Sequence, residues 1–155
     1  MPRPLIPVKV LSSIPHEKGA LLFLSNHERQ KIVSLRIDAS IGVSIYQALN
    51  KEPSARPITH DLFFRLMGAF GGKMKKMVIT SQKNGIFYAL LTFIAENEIM
   101  HKKIVDIDAR PGDGIALAVR FNCPVYVSPE VWEQWEDDSP LYELVGKESP
   151  DSLLS

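Results

Sequence analysis

Shifted by 70 positions (107 − 37), the chain meets itself: "IDASIGVSIYQAL" falls on "IDARPGDGIALAV". Ile37, Asp38, Ala39, Gly42, Ile45 and Ala48 coincide with Ile107, Asp108, Ala109, Gly112, Ile115 and Ala118. The order of elements around them repeats as well. Each time a hairpin leads to a strand ending in Ile-Asp-Ala, then a helix, then a helix opened by Thr or Ser. A chain built this way is an internal duplication, in which a strand twice feeds an aspartate into a helix N-terminus. Asp38 and Asp108 then hold equivalent places in two related half-folds.

The local signals fill in this frame. "PLIPVKVLSSI" reads as a first strand that its prolines keep at an edge or an entry. "ALLFLSNHERQKIVSLRI" reads as a hairpin and "GVSIYQALN" as a short helix. "THDLFFRLMGAFGGKMK" reads as a helix capped by Thr59, with Asp61 in its first turn and Gly71-Gly72 as its stop. Asn84-Gly85 marks a second hairpin, "IMHKKIVDID" a strand, "PGDGIALAVRFN" a buried helix, "PVYVS" a short strand and "SPEVWEQWEDD" a last helix capped by Ser128. The expected architecture is α+β: a mixed β-sheet or half-barrel with flanking helices and duplicated halves. One domain is expected over residues 1–138 and a polar tail over 139–155.

Composition narrows the function classes. Lys+Arg and Asp+Glu are both 18, so the basic footprint of a protein that coats nucleic acid is missing. The one cysteine, Cys123, excludes an internal disulfide framework and reads as a small buried hydrophobe. No stretch reaches the ~18 apolar residues of a membrane span, and "MPRPLIPVKV" lacks the apolar core of a signal peptide. The expectation is a cytoplasmic protein without a membrane partner.

Two clusters carry chemistry. In "DIDARPGDG", Pro111 suits a first helical position, Asp113 can cap the first turn, and Asp108 can pair with Arg110. The same residues can also form a site. A helix start and Arg110 would take a phosphate, while Asp106, Asp108 and Asp113 would ligate a hard divalent cation or serve as a general base. In "ARPITHDLFF", Arg56 precedes a proline and is free to reach out. His60 lies between Thr59 and Asp61, either holding the helix start or carrying a proton. His16, His27 and His101 read as polar surface, the lysines of "GGKMKK" as a solvated turn, and Trp132 and Trp135 as packing. No P-loop, dinucleotide, metalloprotease or nucleophile-elbow motif is present.

"RPITHDL" and "DIDARPGDGIALAVRFNCPVYVS" together resemble the two hallmark segments of the bifunctional nuclease domain family. The likeness runs from Val8 to about Trp135. It implies a duplicated mixed α/β fold and hydrolysis of phosphodiester bonds in RNA, DNA or both, with nucleic acid as a transient partner. A homodimer is an allowed assembly, and a divalent cation such as Mg²⁺ an allowed cofactor. Carried over by position, Arg56, Thr59 and Arg110 bind substrate, while His60, Asp61, Asp108 and Asp113 are catalytic. Asp108 and Asp113 are then the metal ligands if a metal is used. The sequence departs from the family pattern in two places. Gly112 and Gly114 stand where the family has Ser and Ala, and Asp38 to Gly42 stand where it has two glutamates. Two rival readings use the same residues: a non-catalytic ligand- or protein-binding module, and a plain dimerisation scaffold.

Overall fold

A computed structural model describes residues 2–96, 98, 99 and 101–146. The first half is an antiparallel meander, β1 (Ile6–His16), β2 (Gly19–Asn26) and β3 (Ile32–Asp38), followed by α1 (Ala39–Asn50) and α2 (Thr59–Ala69). The second half repeats the meander with β4 (Gly72–Lys83), β5 (Ile86–Glu96) and β6 (Lys102–Ala109), followed by α3 (Pro111–Phe121), β7 (Val125–Val127) and α4 (Pro129–Gln134). A short helix α5 (Ser139–Leu141) and a π-helical turn (Tyr142–Gly146) follow. All seven strands form one sheet in the order β3-β2-β1-β7-β4-β5-β6. The three residues of β7 join the halves, antiparallel to β1 and parallel to β4. The α+β class and the duplicated order of elements are as the sequence implies.

Helices α1 and α3 lie on one face of this sheet, and two glycines set how closely they lie. A Cβ at Gly42 would stand 2.4 Å from the Cβ of Ala20 on β2. A Cβ at Gly114 would stand 2.9 Å from Leu91 and 3.0 Å from Met77. Ile45 and Ile115, aligned in the repeat, are both fully buried. Ser13 donates its hydroxyl to the Gly42 carbonyl at 2.9 Å and pins α1 to β1. Gly112 lies against Ile37 and Ile41, 3.1 Å from each where a Cβ would be, so α3 also seats against the end of β3 and the start of α1. At Gly112 and Gly114 a side chain would meet neighbours already in place. Gly42→Leu should lower the unfolding free energy by about 2–3 kcal/mol, the cost of overpacking, measured as a shift in the urea midpoint.

Several elements differ from expectation. β1 lies in the middle of the sheet rather than at an edge. Its prolines are tolerated because it is paired on both sides only at Val8: Pro7 faces β7 alone, and Pro15 faces β2 alone. The lysines of "GGKMKK" belong to β4, not to a turn. Thr59 is the first helical residue of α2, and Ile58 is its N-cap. The expected tail is packed through its first residues: Tyr142 is buried edge-on against Phe23, with ring centroids 5.3 Å apart. Leu141, Tyr142 and Val145 present one apolar face to Ile14, Leu21, Phe23 and Ile32, on the sheet face away from α1 and α3. The remainder of the expected tail, 147–155, lies outside the described residues.

Other local signals appear as read. Asn84 and Gly85 make the two-residue β4–β5 turn, both with positive φ. Pro111 opens α3, and the Ser128 hydroxyl accepts from the Val131 amide. Trp132 and Trp135 pack: Trp135 stacks on Phe87 of β5 at 4.5 Å and donates its indole N–H to the Ser34 carbonyl of β3. Cys123 is half-buried, and burial pushes its thiol up to about 11. It should react with Ellman's reagent at pH 8 much more slowly in the folded than in the urea-unfolded chain.

Candidate functional site

The two charged motifs meet where α2 and α3 begin. His60, in the first turn of α2, has its Nε2 2.9 Å from Oδ1 of Asp113, in the first turn of α3. An ionised carboxylate only accepts, so Nε2 carries the proton in that bond. In the neutral ring Nδ1 is then the acceptor, and the Ser44 hydroxyl of α1 donates to it at 2.6 Å. The other Asp113 oxygen accepts from Arg110 Nε at 2.8 Å. Arg110, the N-cap residue of α3, also donates through Nη1 to Asp38, the N-cap residue of α1, at 3.4 Å. One chain of contacts therefore links the ends of both Ile-Asp-Ala strands to α1 and α2.

Access falls steeply along that chain. The Arg110 side chain is 69% exposed, that of Asp113 30% and that of His60 14%, and Ser44 is buried. Serine, histidine and aspartate are the residue types of a nucleophilic triad, but here the order of access is inverted. The serine is the inner end and cannot reach a substrate. The groups that face solvent are the guanidinium of Arg110 and the carboxylates of Asp113 and Asp38.

A second pair underlies this cluster. Asp61 accepts from Arg120 Nε at 2.8 Å through one oxygen, and from the Ile58 amide at 3.1 Å through the other. The buried Arg120 side chain also donates to the carbonyls of Ala116 at 2.8 Å and Ser44 at 3.3 Å. It ties α3 to α1 and to the start of α2. Burial pushes the Asp61 carboxyl up, but the bonds from Arg120 and Ile58 and the charges of Arg120 and Arg65 outweigh this and hold it below the ordinary value.

The sequence-derived residues thus divide. His60, Arg110 and Asp113 are in direct contact, and Asp61 lies one contact away through Arg120 and the Ser44 backbone. Arg56 and Thr59 are exposed beside the α2 start, without an ion pair among the described residues. Asp108 is not in the cluster. On β6 it lies opposite Leu90, as Asp106 lies opposite Thr92 and accepts its hydroxyl at 2.7 Å. Strand alternation puts both acids on the sheet face away from the core residues Ala89, Leu91 and Phe93. The expected Asp108–Arg110 pair is replaced by Arg110 with Asp113 and Asp38. Both Asp113 oxygens accept from side chains, those of His60 and Arg110. No group of three or more His, Cys, Asp or Glu side chains among the described residues stands together where it could hold a metal ion. The residues missed by sequence reading are Ser44 and Arg120. Each had a signal: a single hydroxyl between Val43 and Ile45, and a single charge ending the apolar run of α3.

A cavity of about 600 Å³ lies apart from Arg110 and Asp113. It is lined by Gln47, Lys51, Glu52, Asp61, Arg120 and Asn122, near the C-terminal ends of α1 and α3. No helix among the described residues is long and apolar enough to cross a membrane.

Comparison with known proteins identifies the family. Two proteins of Mycobacterium tuberculosis, described as uncharacterized, from strains CDC 1551 / Oshkosh and ATCC 25618 / H37Rv, are each 37% identical to this chain over 79 residues. The match covers 51% of this chain and 43% of each relative, so it spans less than half the length of the curated relatives. The bifunctional nuclease domain model matches residues 22–139, well over half of the 155, and the chain belongs to that family.

Proposed function

We propose that this chain hydrolyses phosphodiester bonds of RNA or DNA in the cytoplasm, at the cluster of Arg110, Asp113 and His60. Nucleic acid is then a transient partner, and a homodimer the working form. The observation that carries the reading is the contact of His60 with Asp113, which joins two sequence-distant motifs of a nuclease family in one polar site. Arg110 meets the phosphate with the donors left on Nη2, and Arg56 and Thr59 steer the strand past the start of α2. Asp113 takes a proton from water as its oxygen bonds to phosphorus. His60, donating its Nε2–H to the other Asp113 oxygen, holds the carboxylate in place as that proton arrives. The bond from phosphorus to the leaving oxygen breaks, that oxygen takes a proton from solvent, and Asp113 returns its own proton to solvent. Asp61 positions Arg120 and the helix start.

A binding module is the second reading, and one observation favours it: both ring nitrogens of His60 and both oxygens of Asp113 are already engaged. Incubation of the purified chain with single-stranded RNA and DNA, with Mg²⁺ and with EDTA, separates the two. Cleavage by the chain that Asp113→Asn abolishes is the expected result. Equal cleavage by both proteins would identify a contaminant and end the enzyme reading. Retention of the oligonucleotide without cleavage would establish the binder.

A further inference from the structure

Helix α2 is rich in apolar residues, yet none of its residues is buried. Its inner side rests on Phe63 against Phe93 (ring centroids 6.2 Å apart), Phe64 against Phe121 (4.7 Å), and Met67 against Gly72. Its outer side carries Leu62, Leu66 and Phe70, which are 60%, 52% and 78% exposed. Their spacing of four makes them one ridge along the helix. Between Leu62 and Phe70 the only charged residue is Arg65. The counterpart helix of the second half, α4, behaves differently and buries Val131 and Trp132. The exposed ridge is therefore peculiar to α2.

We propose that a second copy of this chain covers this face, with α2 packed antiparallel against the partner's α2 about a two-fold axis. The ridge matches itself: rows of side chains four apart interlock between two identical helices, as an isologous contact requires. The area is sufficient. Leu62, Leu66, Phe70 and the outer parts of Phe63 and Phe64 present about 500 Å² of apolar surface, taking ~150–250 Å² for a whole aromatic side chain. That is near the upper limit for a patch on a monomer and most of the ~800 Å² per partner of a standard interface. Charge points the same way. With Arg65 the one charged residue between Leu62 and Phe70, a nucleic acid or an acidic peptide finds little to pair with, and antiparallel packing brings each positive helix end to a negative one. The dimer would also brace the helix whose first turn holds His60 and Asp61. The proposal stands whether or not the cluster cleaves phosphodiesters.

Sedimentation velocity and light scattering of the full chain at micromolar concentration test it. A mass of about 35 kDa, twice the 17.4 kDa of the chain, is expected. Leu66→Glu and, separately, Phe70→Ser should give the mass of one chain with unchanged circular dichroism, because both side chains are solvent-facing in the single chain. Ile104→Glu, at an equally exposed site on β6, should leave the dimer intact. A monomeric unmodified chain overturns the proposal. So does a dimer that survives both α2 substitutions, or one that Ile104→Glu dissociates. A monomer that binds phosphatidylcholine vesicles through Leu66 and Phe70 overturns it in favour of a membrane surface.

Discussion

Asp61→Ala should lower the unfolding free energy by about 3 kcal/mol, among the larger effects expected of any single substitution outside the apolar core. The loss is not that of a surface ion pair. Arg120 is buried, so its guanidinium stays out of water when its carboxylate is removed, and the Ile58 amide loses its acceptor in the same step. Arg120→Met, which removes the charge and keeps much of the volume, should be milder than Asp61→Ala. The pH dependence has a definite sign. Asp61 holds its proton less tightly in the folded than in the unfolded chain, so the unfolded state gains protons first as the solution is acidified. The Asp61 contribution is complete above its ordinary value of 3.8 and disappears as the pH falls through the lower folded value. Urea titrations of the chain and of Asp61→Ala should therefore differ at pH 6 and converge in strong acid.

Asp113→Asn should reduce oligonucleotide cleavage by about 10²- to 10⁴-fold, the range for loss of a proton-transfer group, and do so without unfolding the chain. Asparagine keeps the size of the side chain and one acceptor oxygen. It cannot take a proton from water, and it no longer holds Arg110 by charge. Thermal melts of the two proteins should lie within a few degrees, because both the Asp113 and Arg110 side chains reach solvent. Asp108→Asn, on the opposite face of the sheet, should cleave at nearly the unaltered rate.

What the sequence revealed and what it hid follow from the range of the interactions. Asn84-Gly85, Pro111 and Ser128 act within a few residues, and each appears where its local chemistry places it. The repeat was legible because burial imposes the same demand on Ile45 and Ile115. The central position of β1 was not, since it depends on β7, three residues that arrive more than a hundred positions later. Nor was the packing of Tyr142, which rests on a sheet face formed by the first half. In the site, the meeting of the two motifs could be expected from their chemistry, but which of the aspartates Asp108 and Asp113 touches His60 could not. Alternation along β6 sends Asp108 to the far face, while the first turn of α3 directs Asp113 to His60. Arg120 and Ser44 escaped because their roles exist only once three helices are packed together.

If the start of α2 and the start of α3 work as one unit, their losses must not multiply. A double-mutant cycle on the cleavage rate, with His60→Ala, Asp113→Asn and both together, measures this directly. The double variant should be about as slow as the slower single variant, because His60 acts only through the Asp113 carboxylate that it holds. Single losses that multiply in full in the double variant would show two independent groups, and would contradict a shared site at the His60–Asp113 contact.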